Sequence, residues 1–361
     1  MKKIDYILLF SVILLSLFGV VMIYSSSSTW AKYKFNDEFH YLKLQLLFLI
    51  LGIIVMYIIS RINYKVYYEK SNTILLICFI LLILVLIPGI GKIRNGSRSW
   101  FGLGPFGIQP SEFMKLGLII FTSKYLTNNE KDLKNFKKGV FPILLVLLTA
   151  FFLIMLQPDL GTGTVLVVSI LSLLFISGVD IKFFIGSFII GLIGIIILIV
   201  IAPYRMNRIT SFMNPWKDAL GTGFQIIQSL YAIGPGGLLG TGFLKSIQKH
   251  FYLPEPQTDF IFSIISEEFG FLGVFIVTGL FIVILYRSIK IALNSKDAFS
   301  KYLSFGMIFQ IIFQALMNLM VVVGLIPVTG VTLPFLSYGG SSLLISMASI
   351  GILLNISRHN N

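Results

Sequence analysis

The segment that decides how this chain is built runs Tyr252-Leu-Pro-Glu-Pro-Gln-Thr-Asp259-Phe-Ile-Phe-Ser-Ile-Ile-Ser-Glu267-Glu268. It brings four of the chain's 15 acidic residues to the entrance of a long apolar run. A carboxylate within a membrane costs roughly 2.5–3.5 kcal/mol on insertion scales, so acids gathered at such a position favour chemistry or transport. The alternative is a helix N-terminus whose acids suit the positive end of the helix dipole.

Outward from this segment, apolar sequence dominates. Hydrophobic residues make up 56% and charged residues 12% of the chain, whereas a soluble domain has about 25% charged residues. Several uncharged runs reach the ~20 residues that cross a bilayer. The run from Tyr6 to Tyr24 is long enough to span, which favours a retained first helix over a signal peptide. Cys78 is the single cysteine and excludes an intrachain disulfide. These features predict an integral membrane protein.

The apolar runs and their breaks predict an all-α polytopic membrane protein. We expect about ten transmembrane helices in a single integral membrane domain over 1–361, with a large external loop at about 203–258 between helices 7 and 8. Short segments at 61–70, 124–138 and 287–301 are densest in Lys and Arg, so the positive-inside rule predicts that both termini are cytoplasmic. The predicted helices are 6–26, 44–60, 72–90, 112–127, 139–156, 160–179, 183–202, 260–286, 302–326 and 338–356.

Two segments on the predicted outer side, 91–111 and 203–258, combine cations with Gly, Pro and aromatic residues. They form either an ordinary charged membrane surface or a surface for an anionic lipid-linked substrate, whose phosphates Arg and Lys would bind. The net charge of +13 suits anionic lipid equally well and does not by itself indicate nucleic acid. Within 203–258, the spacing of Phe224 to Ile233 predicts a short helix that Gly234-Pro-Gly-Gly237 ends. That helix is either interfacial or re-entrant, or it is packed in the core.

Several polar positions stand out within this frame. Ser111 is placed to cap the fourth helix, and Glu112 and Lys115 are three residues apart on one helix face, where they can pair for structural or functional reasons. Asp159 is expected to cap the sixth helix. The small residues of 327–342 predict a close-packed helix entry or a substrate contact. The three histidines lie far apart, so no zinc site or catalytic triad is indicated and catalysis would depend on carboxylates.

Several short motifs follow one another along the chain. They are Asn95-Gly-Ser-Arg-Ser-Trp, Gln109-Pro-Ser-Glu-Phe-Met-Lys, Gln157-Pro-Asp-Leu-Gly, Asn214-Pro-Trp-Lys-Asp, Gln228-Ser-Leu-Tyr-Ala-Ile-Gly, Tyr252-Leu-Pro-Glu-Pro-Gln-Thr-Asp-Phe-Ile-Phe, Glu267-Glu268-Phe-Gly and Leu333-Pro-Phe-Leu-Ser-Tyr-Gly-Gly-Ser-Ser. With these motifs in this order, the chain resembles the SEDS family of bacterial cell-envelope proteins (RodA, FtsW and SpoVE). The details around 228–256 resemble the FtsW and SpoVE branch more than RodA.

The resemblance implies a peptidoglycan glycosyltransferase of the bacterial plasma membrane that polymerises lipid II on its outer face, for cell division or related septal or spore wall synthesis. Asp259 corresponds to the family's essential aspartate, Trp100 to its motif tryptophan, and Glu112 with Lys115 to its intramembrane pair. The expected partners are lipid II (undecaprenyl-pyrophosphate-linked disaccharide peptide), a class B penicillin-binding protein transpeptidase and other division or elongation proteins.

The chemistry of that activity is compatible with the residues present. Asp259 would act as a general base on the acceptor sugar hydroxyl. Because an α-linked donor gives a β-linked glycan, one inverting displacement suffices and no second carboxylate is needed as nucleophile. The leaving pyrophosphate needs positive charge, and a divalent cation could share that task although no ligand set is readable. The expected substrate-binding residues are Arg94, Arg98, Trp100, Lys217, Lys245, Lys249 and Glu255.

Two other functions fit the same sequence. A lipid II flippase would line a transport path with the buried charges, and a non-catalytic scaffold would recruit a transpeptidase through the outer loops. Neutralising Asp259 and assaying lipid II transport distinguish the three functions. A polymerase loses glycan product but still binds lipid II, a flippase moves labelled lipid II across vesicles without a partner, and a scaffold supports normal growth.

Overall fold

Long apolar helices account for most of the computed structural model, which describes residues 4–94, 96–103, 106–201 and 203–360. Each of the ten predicted spans overlaps a helix of the structure, although the bounds differ. Within the described residues, the helices are α1 Tyr6–Phe35, α2 His40–Arg61, α3 Lys65–Leu86, α4 Pro110–Asn128, α5 Phe141–Met155, α6 Leu160–Ile176, α7 Ile181–Ile201, α8 Pro203–Met213, α9 Phe224–Ile233, α10 Ile261–Leu293, α11 Ala298–Val322 and α12 Gly340–Asn360.

Length and composition make seven of the described helices able to cross a membrane. They are α1, α2, α3, α5 with the π-helical turn before it, α10, α11 and α12. Helix α6 and the first part of α7 are shorter apolar helices, and α4 carries Glu112, Lys115 and Lys124 in its 19 residues. The chain is therefore a multi-pass membrane protein.

Three of the helices have an aspartate as their N-cap residue. Asp5, Asp159 and Asp297 accept hydrogen bonds from backbone N–H groups in the first turns of α1, α6 and α11, at 3.0, 3.0 and 2.8 Å. These contacts satisfy donors that a helix start leaves unpaired. The predicted cap at Asp159 is confirmed. The predicted cap at Ser111 is wrong, because α4 begins one residue earlier at Pro110 and places Ser111 inside its first turn.

Helix α12 lies at the centre of the bundle. In its most apolar stretch 89% of the residues are buried, and it packs against α2 through glycines. A Cβ added at Gly340 would lie 2.6 Å from the Phe48 ring, and one at Gly351 would lie 2.7 Å from the Met56 carbonyl oxygen. The small residues therefore allow the close helix approach that is typical of membrane bundles.

The segment 91–111 contains a small β-sheet, which is a local addition to the predicted helical architecture. Three antiparallel strands, β1 Gly91–Arg94, β2 Ser97–Leu103 and β3 Phe106–Ile108, pair in the order β1-β2-β3. Glycines and polar residues concealed the strands in the sequence, because a sheet this small shows no clear alternation of apolar and polar residues. The sheet leads directly into α4.

The segment 203–258 contains two short α-helices, α8 and α9, and continues in turns up to α10. Helix α9 begins at Phe224 and ends at Ile233, as its spacing predicts. It packs in the core, because the Ser229 hydroxyl lies 2.7 Å from that of Ser263 in α10 and donates to the Val322 carbonyl at the end of α11 at 2.7 Å. The prediction of a helix is confirmed, and core packing is the alternative that the structure supports.

Helix α10 is kinked at Gly270, whose backbone lies at φ +58° and ψ −153°. A Cβ there would stand 2.4 Å from the Gly240 nitrogen, so this position requires glycine. The kink leaves backbone N–H groups of α10 free to bond with the segment 203–258. Phe271 and Leu272 donate to the carbonyls of Gly237 and Leu238 at 2.9 and 3.1 Å. The segment 203–258 is thus joined to α10 about one third of the way along that helix.

Candidate functional site

Asp259 lies two residues before α10, at the end of the polar segment that opens the helix. Its side chain is partly buried, while Phe260 and Ile261 are 1% and 0% exposed. The loop that precedes α12 passes beside it, because a Cβ added at Gly330 would lie 4.0 Å from Asp259 Oδ2. The carboxyl group is therefore held between the start of α10 and the 327–339 loop.

Burial has a direct effect on the acidity of this carboxyl group. Loss of hydration raises the pKa of Asp259 from 3.8 to about 6, and the negative charge of Glu255 adds to the rise. The positive charge of Arg208 lowers the pKa, while Asp159 makes a smaller contribution that raises it. A carboxylate with a pKa near the pH of its surroundings is suited to accept a proton during a reaction.

Arg208 borders a cleft of about 470 Å³ between α8, α9 and three loops, a volume within the ordinary range for ligand sites. The Arg208 guanidinium also donates to the Val328 carbonyl at 3.0 Å, which ties α8 to the loop beside Asp259. Arg208 is absent from the substrate-binding residues that the sequence predicts. Its place in a polar helix within the cation-rich segment 203–258 could have indicated it. The lining includes Asn207, Arg208, Ser211, Thr222, Gln225, Pro254 and Val328.

Glu112 and Lys115 form the predicted ion pair inside the bundle. Their charged atoms are 2.8 Å apart, and the residues are 5% and 1% exposed. Lys115 also donates to Gln314 of α11 at 2.7 Å. The pairing is thus confirmed, and it extends to a third residue that the sequence did not indicate.

Asp159 lies close to this pair. The charges of Glu112 and Lys115 both act on the Asp159 carboxyl, whose pKa is raised mainly by burial. The amide of Gln109, the residue before α4, donates to Asp159 Oδ2 at 3.0 Å. Asp159 therefore caps α6 and at the same time connects α6 with the start of α4.

The β-sheet places two of the expected substrate-binding residues together. The Arg94 guanidinium lies over the Trp100 ring at 5.1 Å, a cation–π contact. Burial raises the pKa of the Tyr338 hydroxyl to about 12, and the positive charge of Arg94 opposes that rise, which places Arg94 near the loop before α12. Arg98 is partly buried on β2. The sheet thus faces the loop that passes Asp259.

The expected cations of 203–258 separate into two groups. Lys217 and Lys245 are exposed, and neither lines the cleft beside Arg208. Lys249 is only 3% exposed and pairs with Glu268 at 2.9 Å. The expectation that Lys249 binds a pyrophosphate is corrected, because its ammonium group is held by a buried carboxylate instead. Glu255 is exposed, with a left-handed φ of +45°.

The acids of the opening segment also divide. Glu255 and Asp259 lie at the site, whereas Glu267 and Glu268 are each 1% exposed inside the protein. Glu267 accepts hydrogen bonds from the Ser246 hydroxyl and the Ile247 N–H at 2.5 and 2.7 Å. These two glutamates anchor the segment 203–258 to α10, because both accept hydrogen bonds from residues 246–247.

Fold and site together define a multi-pass membrane protein with a partly buried carboxylate beside a cationic cleft. The chain belongs to the cell cycle protein family FtsW/RodA/SpoVE, whose model matches residues 5–361. It is 52% identical to stage V sporulation protein E of Bacillus subtilis, over 99% of this chain and 97% of that protein. It is 41% identical to a probable peptidoglycan glycosyltransferase FtsW of a Geobacter species, over 98% and 96%.

Solved structures agree with this assignment. A chain of a peptidoglycan synthase complex, described as coordinating polymerization and crosslinking, matches with a TM-score of 0.82 at 30% identity, over 99% of this chain and 98% of that one. Thermus thermophilus RodA matches with a TM-score of 0.71 at 27% identity, over 99% and 98%. The higher identity to SpoVE and FtsW agrees with the branch that the motifs predict.

Proposed function

We propose that this chain is a peptidoglycan glycosyltransferase that polymerises lipid II at the outer face of the bacterial plasma membrane, with Asp259 as general base. The observation that carries the proposal is the partly buried Asp259 carboxyl, whose pKa is about 6 and which feels the charge of Arg208 at the cleft. The family supports the same activity, since relatives are named as probable peptidoglycan glycosyltransferases.

The reaction needs few groups from the protein. Asp259 accepts the proton of the attacking sugar hydroxyl while the new bond forms at the anomeric carbon of the donor. The lipid pyrophosphate leaves with the electron pair of the broken bond. Arg208 is placed to bind its negative charge, and Arg94 beside Trp100 offers a second cation with an aromatic face. Charge-assisted hydrogen bonds to phosphate are among the strongest that a protein makes.

A divalent cation stays part of the proposal only as a companion of the substrate. The described residues contain no group of three or more His, Cys, Asp or Glu side chains that could hold one. Magnesium is commonly bound through one or two carboxylates together with substrate phosphates, so the pyrophosphate would supply part of the ligand set. Assays with EDTA, and with magnesium or manganese restored, test whether polymerisation uses one.

The proposed partner is a class B penicillin-binding protein transpeptidase, because a structural neighbour is part of a peptidoglycan synthase complex. Glycan strands released at the outer face are the substrate that a transpeptidase crosslinks. Other division or elongation proteins would determine where the pair acts.

The deciding experiment uses purified protein, lipid II and the partner transpeptidase. Asp259→Asn should abolish glycan product, with expression, membrane insertion and lipid II binding preserved, while Asp132→Asn, on an exposed turn between α4 and α5, serves as control. Normal glycan synthesis by Asp259→Asn would overturn the assignment of the base. Transport of labelled lipid II by the protein alone would support the flippase instead.

A further inference from the structure

The backbone around Asp259 is held in an unusual way. Three consecutive carbonyl oxygens, those of Gln257, Thr258 and Asp259, all accept hydrogen bonds from other parts of the chain. The Gln257 carbonyl accepts from the Tyr338 N–H at 2.8 Å and the Thr258 carbonyl from the Ser337 hydroxyl at 2.6 Å. The Asp259 carbonyl accepts from the side chain of Asn318 in α11 at 2.8 Å. The segment 257–259, which carries the carboxylate, is thus held by a hydrogen bond at each of its three carbonyl groups.

Asn318 differs from the other two donors because it joins two loops at once. Its Nδ2 group donates to the carbonyls of Asp259 and of Val331, at 2.8 Å each. The residue is 1% exposed, and its Oδ1 atom has no hydrogen-bond partner among the described residues. A buried amide whose acceptor oxygen is unpaired lowers the stability of the fold, because that oxygen loses its hydration without gaining a hydrogen bond. Its two N–H groups are therefore the reason for an asparagine at this position.

The same face of α11 reaches the intramembrane pair. Gln314 precedes Asn318 by four residues, so the two side chains lie one above the other. Gln314 accepts from Lys115 at 2.7 Å and donates to the Thr332 carbonyl at 3.1 Å. The 331–332 backbone is therefore bound by both amides, and one helix face links the Glu112–Lys115 pair to the Asp259 backbone.

We propose that Asn318 is a positioning residue for the reaction. It orients the Asp259 carboxylate by holding the backbone carbonyl of Asp259 beside the 331–332 backbone. The inference rests on the proposed function, in which Asp259 removes a proton. A general base must stand within about 2.6–3.2 Å of that proton, and a displacement of ~1 Å can cost about 10²-fold in rate. Asn318 acts through the backbone and does not contact the substrate.

The test compares Asn318→Leu with Asn355→Leu. Asn355 is a matched control, since it is 2% exposed on α12 and its amide binds the Ser60 carbonyl and the Tyr64 N–H at 2.9 and 3.0 Å. Both variants lose a buried amide and should melt at lower temperature. Asn318→Leu should also lower kcat for lipid II polymerisation by roughly 10- to 100-fold, with KM changed less than about threefold and with a displaced acid limb of the pH profile. Asn355→Leu should keep the kcat and the pH profile of the natural chain.

Equal kcat and equal pH profiles for the two leucine variants would overturn the inference. If Asn318→Leu does not reach the membrane, Asn318→Ala and Asn355→Ala replace the pair, because each removes the amide without adding bulk or charge, and the same equality overturns the inference. Asp259→Asn is measured in parallel. Product from that variant would refute the proposed function, whereas its inactivity together with normal turnover by Asn318→Leu would refute only the role of Asn318.

Discussion

At the scale of single residues, the proposed mechanism requires an Asp259 carboxyl that is buried enough to be basic and exposed enough to meet a sugar hydroxyl. With a pKa of about 6, the group is largely ionised at neutral pH and becomes protonated below that value. A protonated carboxyl cannot take the hydroxyl proton. We expect kcat/KM for polymerisation to fall tenfold per pH unit below about pH 6. Lipid II titrations from pH 5 to 8 measure this acid limb, and an acid limb near pH 4 would contradict it.

The same raised pKa predicts how Asp259 affects stability. Between pH 3.8 and about 6 the folded protein keeps a proton on Asp259 that the unfolded chain releases. This group therefore stabilises the folded state at low pH, and that contribution is lost as the pH rises through about 6. We expect Asp259→Asn to melt no lower than the natural chain at pH 7.5, measured by thermal unfolding in detergent. A clearly lower melting temperature would show that the carboxylate stabilises the fold.

At the scale of elements, the Glu112–Lys115 pair joins α4 to α11 through Gln314. Removing one partner of a buried pair leaves an uncompensated charge and costs about 3–5 kcal/mol. We expect Lys115→Met to lower the melting temperature in detergent more than the double change Glu112→Gln with Lys115→Met, which leaves no charge behind. Lys43→Met is a matched control, because Lys43 pairs with Asp37 at 2.8 Å with 65% of its side chain exposed, and exposed pairs contribute little.

An unchanged melting temperature for Lys115→Met would contradict the burial of the pair. A double variant that melts as low as the single one would point to Gln314 as the partner that matters more.

At the scale of the whole molecule, the cleft, the β-sheet and the Asp259 segment should all face outward. In a Cys78→Ser background, Lys92→Cys and Ile247→Cys should react with a membrane-impermeant maleimide added to intact spheroplasts, since both positions are exposed. Lys296→Cys, in the exposed turn between α10 and α11, should react only after lysis. If Lys92→Cys or Ile247→Cys is labelled only after lysis, the predicted orientation is wrong and the proposed site does not lie on the outer face.

The sequence by itself determined the features that depend on neighbouring residues. Apolar length predicts the spans, Asp159 caps the helix it precedes, and Glu112 meets Lys115 because residues three apart share a helix face. The position of Asp259 at the entrance of an apolar helix is equally local. Such interactions follow from backbone geometry within one or two turns, so they can be predicted before any packing is known.

Only the tertiary structure decided which distant groups meet. Lys249 was an outer cation in the sequence, but packing buries it against Glu268 and Ser25, which is 224 positions away. Asn318 binds the backbone carbonyl of Asp259 across 59 positions. The charge of Arg208, in the separate helix α8, acts on the side-chain carboxyl of Asp259. Spacing along the chain cannot predict these contacts, because they depend on how helices cross and where α10 bends at Gly270. The cost of leaving buried polar groups unpaired then selects the partners.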